Sequence, residues 1–449
     1  MKYPLSTKWR GVPNEVRWGE VDLKGKRVTV FGLGKSGMAA AKKLIAIGAV
    51  VRLTDANPRA DVSAFDGLGL EIELGQHSSM IIEGDDLIVV SPGVHLDLPV
   101  LVEAAKRNIP IISELELASY FITKPIIAVT GTNGKTTTIT LIGEMLKAGG
   151  KRVVLAGNIG LPLTEVDDTA LDYVVVEVSS YQLEAIAGFR PRIGVILNIQ
   201  PDHLERHHTM REYTGQKARL FLNQTGDDYL VYNQDDPAVA EMVKTARSKL
   251  LPFSASRPEI ITLPPAMIKI PGRHNLENAL AAARVAALCG VGKESVAEVL
   301  RTFPGVEHRI EYVTTISGVE FYNDSKATNP DSTLVALATF KGRGLVLILG
   351  GRDKGVSLEA LARAVKEDVK AVVLIGEAKA RFEAALKSAG FAEIYPADTS
   401  LEEAVKKAFL AAGHGDIVLF SPACASFDMF ENYEARGKAF KEICASLKI

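Results

Sequence analysis

The sequence predicts an α/β protein of three successive domains, each built on a mostly parallel sheet with helices on both faces. A chain of 449 residues suits two to four domains at roughly 100–200 residues per domain. Apolar runs of strand length alternate with helical segments, which is typical of parallel strands joined by crossover helices. Lys124-Pro125 and Phe303-Pro304-Gly305 interrupt this alternation, so we place the domains at residues 1–123, 124–305 and 306–449.

The composition argues against several classes of function. The chain is 47% hydrophobic and 24% charged, as in folded globular proteins. Its 52 basic and 54 acidic residues nearly cancel, so no surface for nucleic acid or anionic membranes is expected. The three cysteines form neither a disulfide framework nor a zinc pattern. No apolar run has the length of a membrane span, and residues 1–20 lack the apolar stretch of a signal peptide. We therefore expect a cytoplasmic protein.

The first domain begins with a strand at Arg27–Phe31, a glycine-rich loop and a helix. Gly32, Gly34 and Gly37 match the pattern G-x-G-x-x-G, and Asp55 follows the next strand. Asp55 stands about twenty residues further on, where dinucleotide-binding folds place the acidic residue that binds ribose. The pattern therefore predicts a Rossmann-like domain and, taken alone, a nicotinamide-dependent dehydrogenase.

A second nucleotide-binding loop opens the central domain. It follows the predicted strand Ile126–Val129 and precedes a predicted helix over 138–147. Glycines in such a loop turn backbone N–H groups inward, and the helix N-terminus points at bound phosphates. Lys135 is expected to contact the β- and γ-phosphates, and the Thr136 hydroxyl to hold Mg²⁺. The loop consists of Gly131, Thr132, Asn133, Gly134, Lys135, Thr136 and Thr137, although a strict Walker motif would have glycine where Val129 stands. It predicts a P-loop ATPase domain.

Polar residues follow two further strands of this domain. Glu177 ends the apolar run from Tyr173, and His203 comes shortly after the run that starts at Ile193. Ligands of α/β sheets bind beyond the carboxyl ends of the strands, so both side chains are expected beside the phosphate loop. A carboxylate there suits Mg²⁺. His207 and His208 leave a zinc cluster open, but no cysteine or acidic partner has ligand spacing. Lys217, judged by its local sequence alone, predicts a solvated lysine.

The third domain again alternates strands with helices and is predicted to be Rossmann-like. Its predicted strands are Ile310–Val313, Val319–Tyr322, Gly344–Leu349, Val369–Ile375 and Asp416–Leu419.

Several motifs together resemble the Mur ligases of peptidoglycan assembly, in domain order and over essentially the whole chain. The resemblance rests on Gly131–Thr137, Glu177, Asp202-His203, His274–Ala279, His308-Arg309, Asn323–Asn329, Ser421–Phe430, Asn432-Tyr433 and Arg436-Gly437. The C-terminal motifs are most similar to the branch that adds D-glutamate to UDP-N-acetylmuramoyl-L-alanine.

The resemblance implies an ATP-dependent amide-bond ligase that works through an acyl phosphate and a tetrahedral intermediate. It implies ATP and two Mg²⁺ ions, with UDP-N-acetylmuramoyl-L-alanine and D-glutamate as substrates. We expect a monomer without nucleic-acid or membrane partners. Phosphorylation gives a carboxylate a leaving group, so such an enzyme works mainly by positioning and charge neutralisation.

The resemblance also assigns residues. Catalytic roles fall to Lys135, His203, Lys217 and Lys354. Metal ions are expected on Thr136, Glu177, His203 and a carbamylated Lys217. The nucleotide of ATP is expected on Asn275, Asn278, Arg309, Asp324 and Lys326. The uridine diphosphate is expected to be bound by Lys35, Ser36, Asp55, Ser91 and Gly93, and the muramoyl group by Asn158. D-Glutamate is expected on Thr328, Lys354, Ser426 and Tyr433, since a cation suits a dicarboxylate.

Three alternatives stay open at this level. The dehydrogenase has no use for a second nucleotide loop, so a sugar nucleotide is the simpler ligand for the first domain. A non-catalytic nucleotide-binding module is another alternative, and a relative that adds a different amino acid, including the folate polyglutamate ligases, is the third. The Asp-Asn-Pro-Arg motif of the diaminopimelate or lysine branch is absent from the C-terminal domain. Ala56 stands where the family has threonine, and Tyr433 where phenylalanine is common.

Overall fold

The computed structural model describes residues 22–353, 355–397 and 400–447, apart from the side chains of Glu205 and Asp331. Its contacts divide the chain into two compact units. Of the described residues, one unit contains 22–264 together with 277–299, and the other contains 265–276 and those from 300 to 447. The first unit contains two separate sheets, and the division into two units does not test a three-domain assignment. The predicted borders at 123 and 305 therefore stay predictions.

The first sheet consists of five parallel strands in the order β3-β2-β1-β4-β5. The strands are β1 (Arg27–Phe31), β2 (Val50–Asp55), β3 (Glu71–Leu74), β4 (Leu87–Val90) and β5 (Ile111–Ser113). The helices are α1 (Lys35–Ala46), α2 (Pro99–Lys106) and α3 (Glu114–Ser119). Apolar residues of β1 and β4 are buried on both faces of the sheet, as expected for a doubly wound fold.

The second sheet has six parallel strands in the order β11-β10-β9-β6-β8-β7. The strands are β6 (Ile126–Thr130), β7 (Val153–Gly157), β8 (Tyr173–Glu177), β9 (Ile193–Ile196), β10 (Tyr229–Asn233) and β11 (Lys249–Phe253). The helices are α4 (Lys135–Ala148), α5 (Ser180–Glu184), α6 (Leu204–His207), α7 (Met210–Ala218), α8 (Pro237–Met242), α9 (Arg273–Leu288) and α10 (Lys293–Thr302). Strand β6 lies between β8 and β9, so the ends of these three strands meet at one crevice.

The third sheet, in the other unit, has the order β12-β13-β17-β14-β15-β16. The first pair is antiparallel and the others are parallel, which gives the mixed sheet common in doubly wound folds. Its strands are β12 (Glu311–Ile316), β13 (Val319–Asn323), β14 (Leu345–Gly350), β15 (Ala371–Ile375), β16 (Ile394–Pro396) and β17 (Ile417–Phe420). The helices are α11 (Pro330–Thr339), α12 (Glu359–Asp368), α13 (Lys379–Ser388), α14 (Leu401–Ala411) and α15 (Tyr433–Ser446).

Four strands, β3, β10, β11 and β16, were not predicted from the sequence. Three of them are edge strands. β11 and β16 contain proline, which edges tolerate because one side of the strand needs no ladder hydrogen bonds. Over the described part of the chain, no helix combines the length and apolarity that crossing a bilayer requires.

Asp85 is a buried carboxylate on the turn before β4. Its side chain is fully buried, and neither oxygen has a hydrogen-bond partner within the described chain. The nearest cation is Arg52, whose Nη1 lies 3.6 Å from Oδ1. Burial raises the pKa of this carboxyl to about 6. The folded chain therefore holds the proton more tightly than the unfolded chain, so this group's contribution to stability falls as pH rises through about 4 to 6.

Asp85→Asn is therefore expected to raise the melting temperature at pH 7.5, because it removes a buried charge whose desolvation outweighs the attraction of Arg52. At pH 4 the gain should be small, since Asp85 is already protonated in the folded chain. Thermal unfolding followed by circular dichroism at both pH values measures the effect. Asp86→Asn is the control: Asp86 accepts a hydrogen bond from the Arg27 backbone at 2.9 Å, so its loss should not stabilise the protein. A lower melting temperature for Asp85→Asn at pH 7.5 would contradict this account.

Candidate active site

The loop from Gly131 to Thr137 connects β6 to α4 at the crevice. Gly134 caps α4 with φ of 84°, a left-handed conformation that favours glycine. A Cβ atom on Gly134 would lie 2.2 Å from Oδ1 of Asn278, and one on Gly131 would lie 2.9 Å from Leu197 Cβ. Both glycines are therefore required by close neighbours. Asn278 on α9 also accepts a hydrogen bond from the Thr138 hydroxyl at 3.2 Å, so this asparagine lies beside the loop.

The segment that leaves β9 holds the loop in shape. The Asn198 amide oxygen accepts from the Asn133 backbone at 2.8 Å, and its Nδ2 donates to the Asn133 carbonyl at 3.1 Å. The Asn133 amide donates to Gln200 Oε1 at 3.0 Å, and the Thr132 hydroxyl lies 3.0 Å from the Tyr213 hydroxyl. Sequence reasoning assigned no role to Asn198, Gln200 or Tyr213. Two signals were available in the sequence. Asn198 and Gln200 directly follow a predicted strand, and Tyr213 precedes Lys217 by one helical turn.

Two lysines converge on one backbone carbonyl. Lys135 Nζ donates to the Gly131 carbonyl at 2.9 Å and to the Thr132 carbonyl at 2.8 Å. Lys217 Nζ donates to the same Gly131 carbonyl at 2.8 Å and lies 4.7 Å from the centre of the Tyr213 ring. Lys217 is only 1% exposed, so the prediction of a solvated lysine was wrong. Burial, and then the charge of Lys135, lower the Lys217 pKa well below its ordinary value, which favours a neutral, reactive amine.

The carboxylate at the end of β8 contacts the phosphate loop directly. Glu177 Oε2 accepts from the Thr136 hydroxyl at 2.9 Å, and Oε1 accepts from the Asn158 amide at 2.9 Å. Glu177 is almost fully buried. A hydroxyl and a carboxylate in contact at a helix N-terminus are the oxygen donors that Mg²⁺ prefers, so these residues fit that ion. The crevice therefore brings together Lys135, Thr136, Asn158, Glu177 and Lys217.

Among the described side chains, the histidines near β9 are not arranged as a zinc site. His203, at φ of 55°, has its Nδ1 2.7 Å from the Tyr181 hydroxyl and its Nε2 3.4 Å from Asp202. His207 is buried, and its Nε2 lies 2.9 Å from the Ser180 hydroxyl. Among the described residues, no group of three or more His, Cys, Asp or Glu side chains is placed to hold a metal ion.

The glycine loop of the first sheet borders a cavity of about 620 Å³. All five residues predicted to bind uridine diphosphate line it: Lys35, Ser36, Asp55, Ser91 and Gly93. The Ser91 hydroxyl donates to the Gly32 carbonyl at 2.7 Å. A Cβ atom on Gly37 would lie 1.8 Å from that carbonyl oxygen, so the third glycine of the pattern is obligatory. Asp55 accepts from the Asn57 backbone at 2.7 Å, and Lys35 donates to the Gly160 carbonyl.

In the other unit, Asp324 is a buried carboxylate at the end of β13. It accepts from the Ser421 hydroxyl at 2.6 Å and from the Ile310 backbone at 3.2 Å. Burial raises the Asp324 pKa to about 6, against the opposing charge of Arg309. Lys326 Nζ lies 5.7 Å from the centre of the Tyr433 ring, at the start of α15. Arg309 is therefore close enough to act on Asp324, and Lys326, two residues after Asp324, lies beside Tyr433.

The remaining predicted residues of this unit are placed as follows. Ser426 is buried, and its carbonyl accepts from the Phe430 backbone at 2.9 Å. Thr328 is partly buried and lies two residues before the start of α11. The Asn275 amide donates to the Pro271 carbonyl at 2.7 Å. Lys354 lies outside the described residues, so its predicted role stays a prediction.

Arg436, which belongs to the Arg436-Gly437 motif, is a residue of this unit to which the sequence assigned no role. It is 4% exposed and donates to the Ser325 carbonyl at 2.8 Å and to the Cys424 carbonyl at 3.1 Å. It thereby joins the loops after β13 and β17 from a buried position. An arginine in an amphipathic helix predicts solvent exposure, so periodicity could not have identified this contact.

Family models match three consecutive parts of the chain. Residues 26–113 match "Mur ligase MurD-like, N-terminal domain", residues 129–286 match "Mur ligase middle domain", and residues 308–424 match "Mur ligase, glutamate ligase domain". The chain is 45% identical to the UDP-N-acetylmuramoylalanine–D-glutamate ligase of Pelotomaculum thermopropionicum, over 95% of this chain and 99% of the relative. The chain belongs to the Mur ligase family. The ligase of the same name from Koribacter versatilis is 43% identical over 94% and 98% of the two chains.

Solved structures of Mur ligases share the fold. The UDP-N-acetylmuramate–alanine ligase of Thermotoga maritima aligns with a TM-score of 0.56 at 23% identity, covering 94% of this chain and all of that one. MurF of Acinetobacter baumannii aligns with a TM-score of 0.57 at 17% identity, covering 93% and 94%. The glycine-rich loop at Gly32–Gly37 lies within the Mur ligase N-terminal domain, so the dehydrogenase alternative is not supported.

Proposed function

We propose that this Mur ligase joins D-glutamate to UDP-N-acetylmuramoyl-L-alanine with hydrolysis of ATP to ADP and phosphate. One observation carries the proposal: Glu177 and buried Lys217 both contact the glycine-rich loop that contains Lys135 and Thr136. Over nearly its whole length, this chain is similar in sequence to ligases that are named for this reaction. The same proposal has the enzyme act as a monomer in the cytoplasm.

The first step forms an acyl phosphate. A carboxylate oxygen of the alanyl group attacks the γ-phosphorus, and the bond from that phosphorus to the β–γ bridging oxygen breaks, so ADP leaves. Lys135 and the N-terminus of α4 provide positive charge at the loop, where the negative charge of the transferred group is spread over its oxygens. Asn158, which bonds Glu177, is proposed to hold the muramoyl substrate beside this loop.

The second step forms the amide bond. The amine nitrogen of D-glutamate attacks the acyl carbon, a tetrahedral intermediate forms, and the bond to the phosphate oxygen then breaks. Phosphate leaves and the nitrogen loses its extra proton. Thr328, Lys354, Ser426 and Tyr433 are proposed to bind D-glutamate, while Asn275, Asn278, Arg309, Asp324 and Lys326 are proposed to bind the adenosine part of ATP. Their main contribution is to orient the reacting groups.

Thr136, Glu177, His203 and a carbamylated Lys217 are proposed to hold two Mg²⁺ ions. When bound, such ions neutralise the phosphate charge that develops in the reaction. Carbamylation requires a neutral lysine amine, and burial lowers the Lys217 pKa in the direction that favours this form. The modification would convert a cation into an anionic oxygen ligand at the loop that carries Thr136 and contacts Glu177.

Phosphate release tests the proposal. The purified chain is incubated with MgATP and UDP-N-acetylmuramoyl-L-alanine, and D-glutamate, L-glutamate, L-lysine or L-alanine is added separately. Release that depends on D-glutamate and on the UDP substrate is expected. Release with another acceptor in preference to D-glutamate would assign a different branch of the family, and the absence of release with D-glutamate would overturn the proposed function.

A further inference from the structure

A buried ion pair between Arg206 and Glu184 lies within the first unit, outside the residues assigned above. Arg206 Nη2 lies 2.6 Å from Glu184 Oε2, and Arg206 Nε lies 2.9 Å from Oε1. The two side chains are only 8% and 10% exposed. Desolvation makes such a pair a weak source of stability. Its two-point geometry, however, fixes the plane of the guanidinium and thus the direction of the remaining N–H groups.

Those remaining donors reach the loop that follows β4. Arg206 Nη2 donates to the Val94 carbonyl at 2.7 Å, and Nη1 lies 3.5 Å from the Gly93 carbonyl. Gly93 and Val94 both line the cavity of about 620 Å³ beside the first sheet. A side chain from the helix that follows His203 therefore holds the wall of the cavity proposed for the UDP group.

The face of the same guanidinium contacts the neighbourhood of His203. Arg206 Cζ lies 4.7 Å from the centre of the Tyr181 ring, and the Tyr181 hydroxyl lies 2.7 Å from His203 Nδ1. Glu184 Oε1 also lies 3.6 Å from His207 Nδ1. One arginine thus contacts the cavity loop through its N–H groups and supports the orientation of His203 through Tyr181.

We propose that Arg206 is a positioning residue that keeps the UDP cavity and His203 in one fixed arrangement. The inference rests on the proposed function, which places a substrate in the cavity and a metal ion near His203. Rates in such enzymes depend steeply on geometry, because small displacements of bound groups misalign the reacting atoms. Lysine cannot replace arginine here, since an ammonium group lacks the planar fork that reaches the carboxylate and the carbonyl together.

Arg206→Lys keeps the charge and removes the fork. We expect the KM for UDP-N-acetylmuramoyl-L-alanine to rise by about tenfold while the KM for ATP changes by less than about twofold. The Mg²⁺ concentration at half-maximal rate should also rise, because Tyr181 and His203 lose their support. A variant that merely folds less well has a smaller active fraction, which lowers the apparent kcat and leaves KM unchanged.

Arg152→Lys is the matched control. Arg152 makes a similar two-point contact with Asp172, with Nη2–Oδ1 of 3.1 Å and Nε–Oδ2 of 3.3 Å, on an exposed surface before β7. Its kinetic constants should stay at the wild-type values. Glu184→Gln keeps the shape of the buried pair. It should raise the KM for UDP-N-acetylmuramoyl-L-alanine and the Mg²⁺ concentration at half-maximal rate, as Arg206→Lys does. It provides the test if Arg206→Lys does not fold.

The possible outcomes separate the two claims. A wild-type chain that releases no phosphate in this assay would overturn the proposed function. An active wild type, with the KM for the UDP substrate or the Mg²⁺ requirement unchanged in Arg206→Lys and Glu184→Gln, would overturn only the positioning role of Arg206.

Discussion

Replacing Lys217 by methionine is expected to lower kcat by at least about a hundredfold, the scale of losing a group that organises charge at an active site. Methionine fills nearly the same space, so the side chain remains packed against Tyr213 and the fold should persist. The amine that donates to the Gly131 carbonyl and would carry the carbamate is lost. ATP binding should be retained, because Lys135 and the loop N–H groups are untouched. Steady-state phosphate release and ATP titration calorimetry measure the two properties.

Lys249→Met is the control, since Lys249 also lies over a tyrosine ring, at 5.3 Å from Tyr229, but is exposed. It should retain wild-type activity. Short-chain carboxylates added to Lys217→Ala should restore part of the activity by supplying the missing oxygen ligand. Full activity of Lys217→Met with a normal melting temperature would show that the carbamate proposal is wrong.

Lys135→Ala is expected to lower kcat by at least about a hundredfold and also to weaken ATP binding, because the cation within the phosphate loop is removed. This distinguishes it from Lys217→Met, for which ATP binding should be retained. Lys135 donates to two carbonyls of the loop, so the loop conformation should be checked by thermal unfolding. Phosphate release at saturating and subsaturating ATP separates the two effects.

Lys147→Ala is the control. Lys147 lies on the same helix but is exposed, and its ammonium group pairs with Glu144 on that helix. Its kcat and KM for ATP should equal those of the wild type. Equal activity of Lys135→Ala and Lys147→Ala would mean that the loop does not bind the reacting phosphates.

The positions of most buried strands were predictable because their signal is local. β1, β6 and β8 are apolar runs that end in a glycine-rich loop or a carboxylate, and the parallel sheet places those ends together. The edge strands β3, β11 and β16 were not predictable, since they are short or contain proline and depend on pairing with neighbours for their conformation.

The site residues also differ in whether their signal is local in the sequence. The phosphate loop and Glu177 follow from motif and strand order, and their contact through Thr136 agrees with that prediction. The burial of Lys217 could not be read from α7, because the other residues of that helix give no clear apolar face and the enclosing groups come from Gly131 and Tyr213. Arg206 received no role from the sequence, and Arg436 appeared only as part of a family motif, because the groups that bury both arginines are distant in sequence.

The most direct test of acyl-phosphate chemistry follows an oxygen atom. UDP-N-acetylmuramoyl-L-alanine labelled with oxygen-18 in its alanyl carboxylate is turned over with MgATP and D-glutamate, and the released phosphate is analysed by mass spectrometry. Because the attacking carboxylate oxygen leaves with the phosphoryl group, each phosphate is expected to carry one oxygen from the carboxylate. Phosphate without the label, released in proportion to the amide product, would contradict the central claim that this chain activates its substrate by phosphorylating the carboxylate.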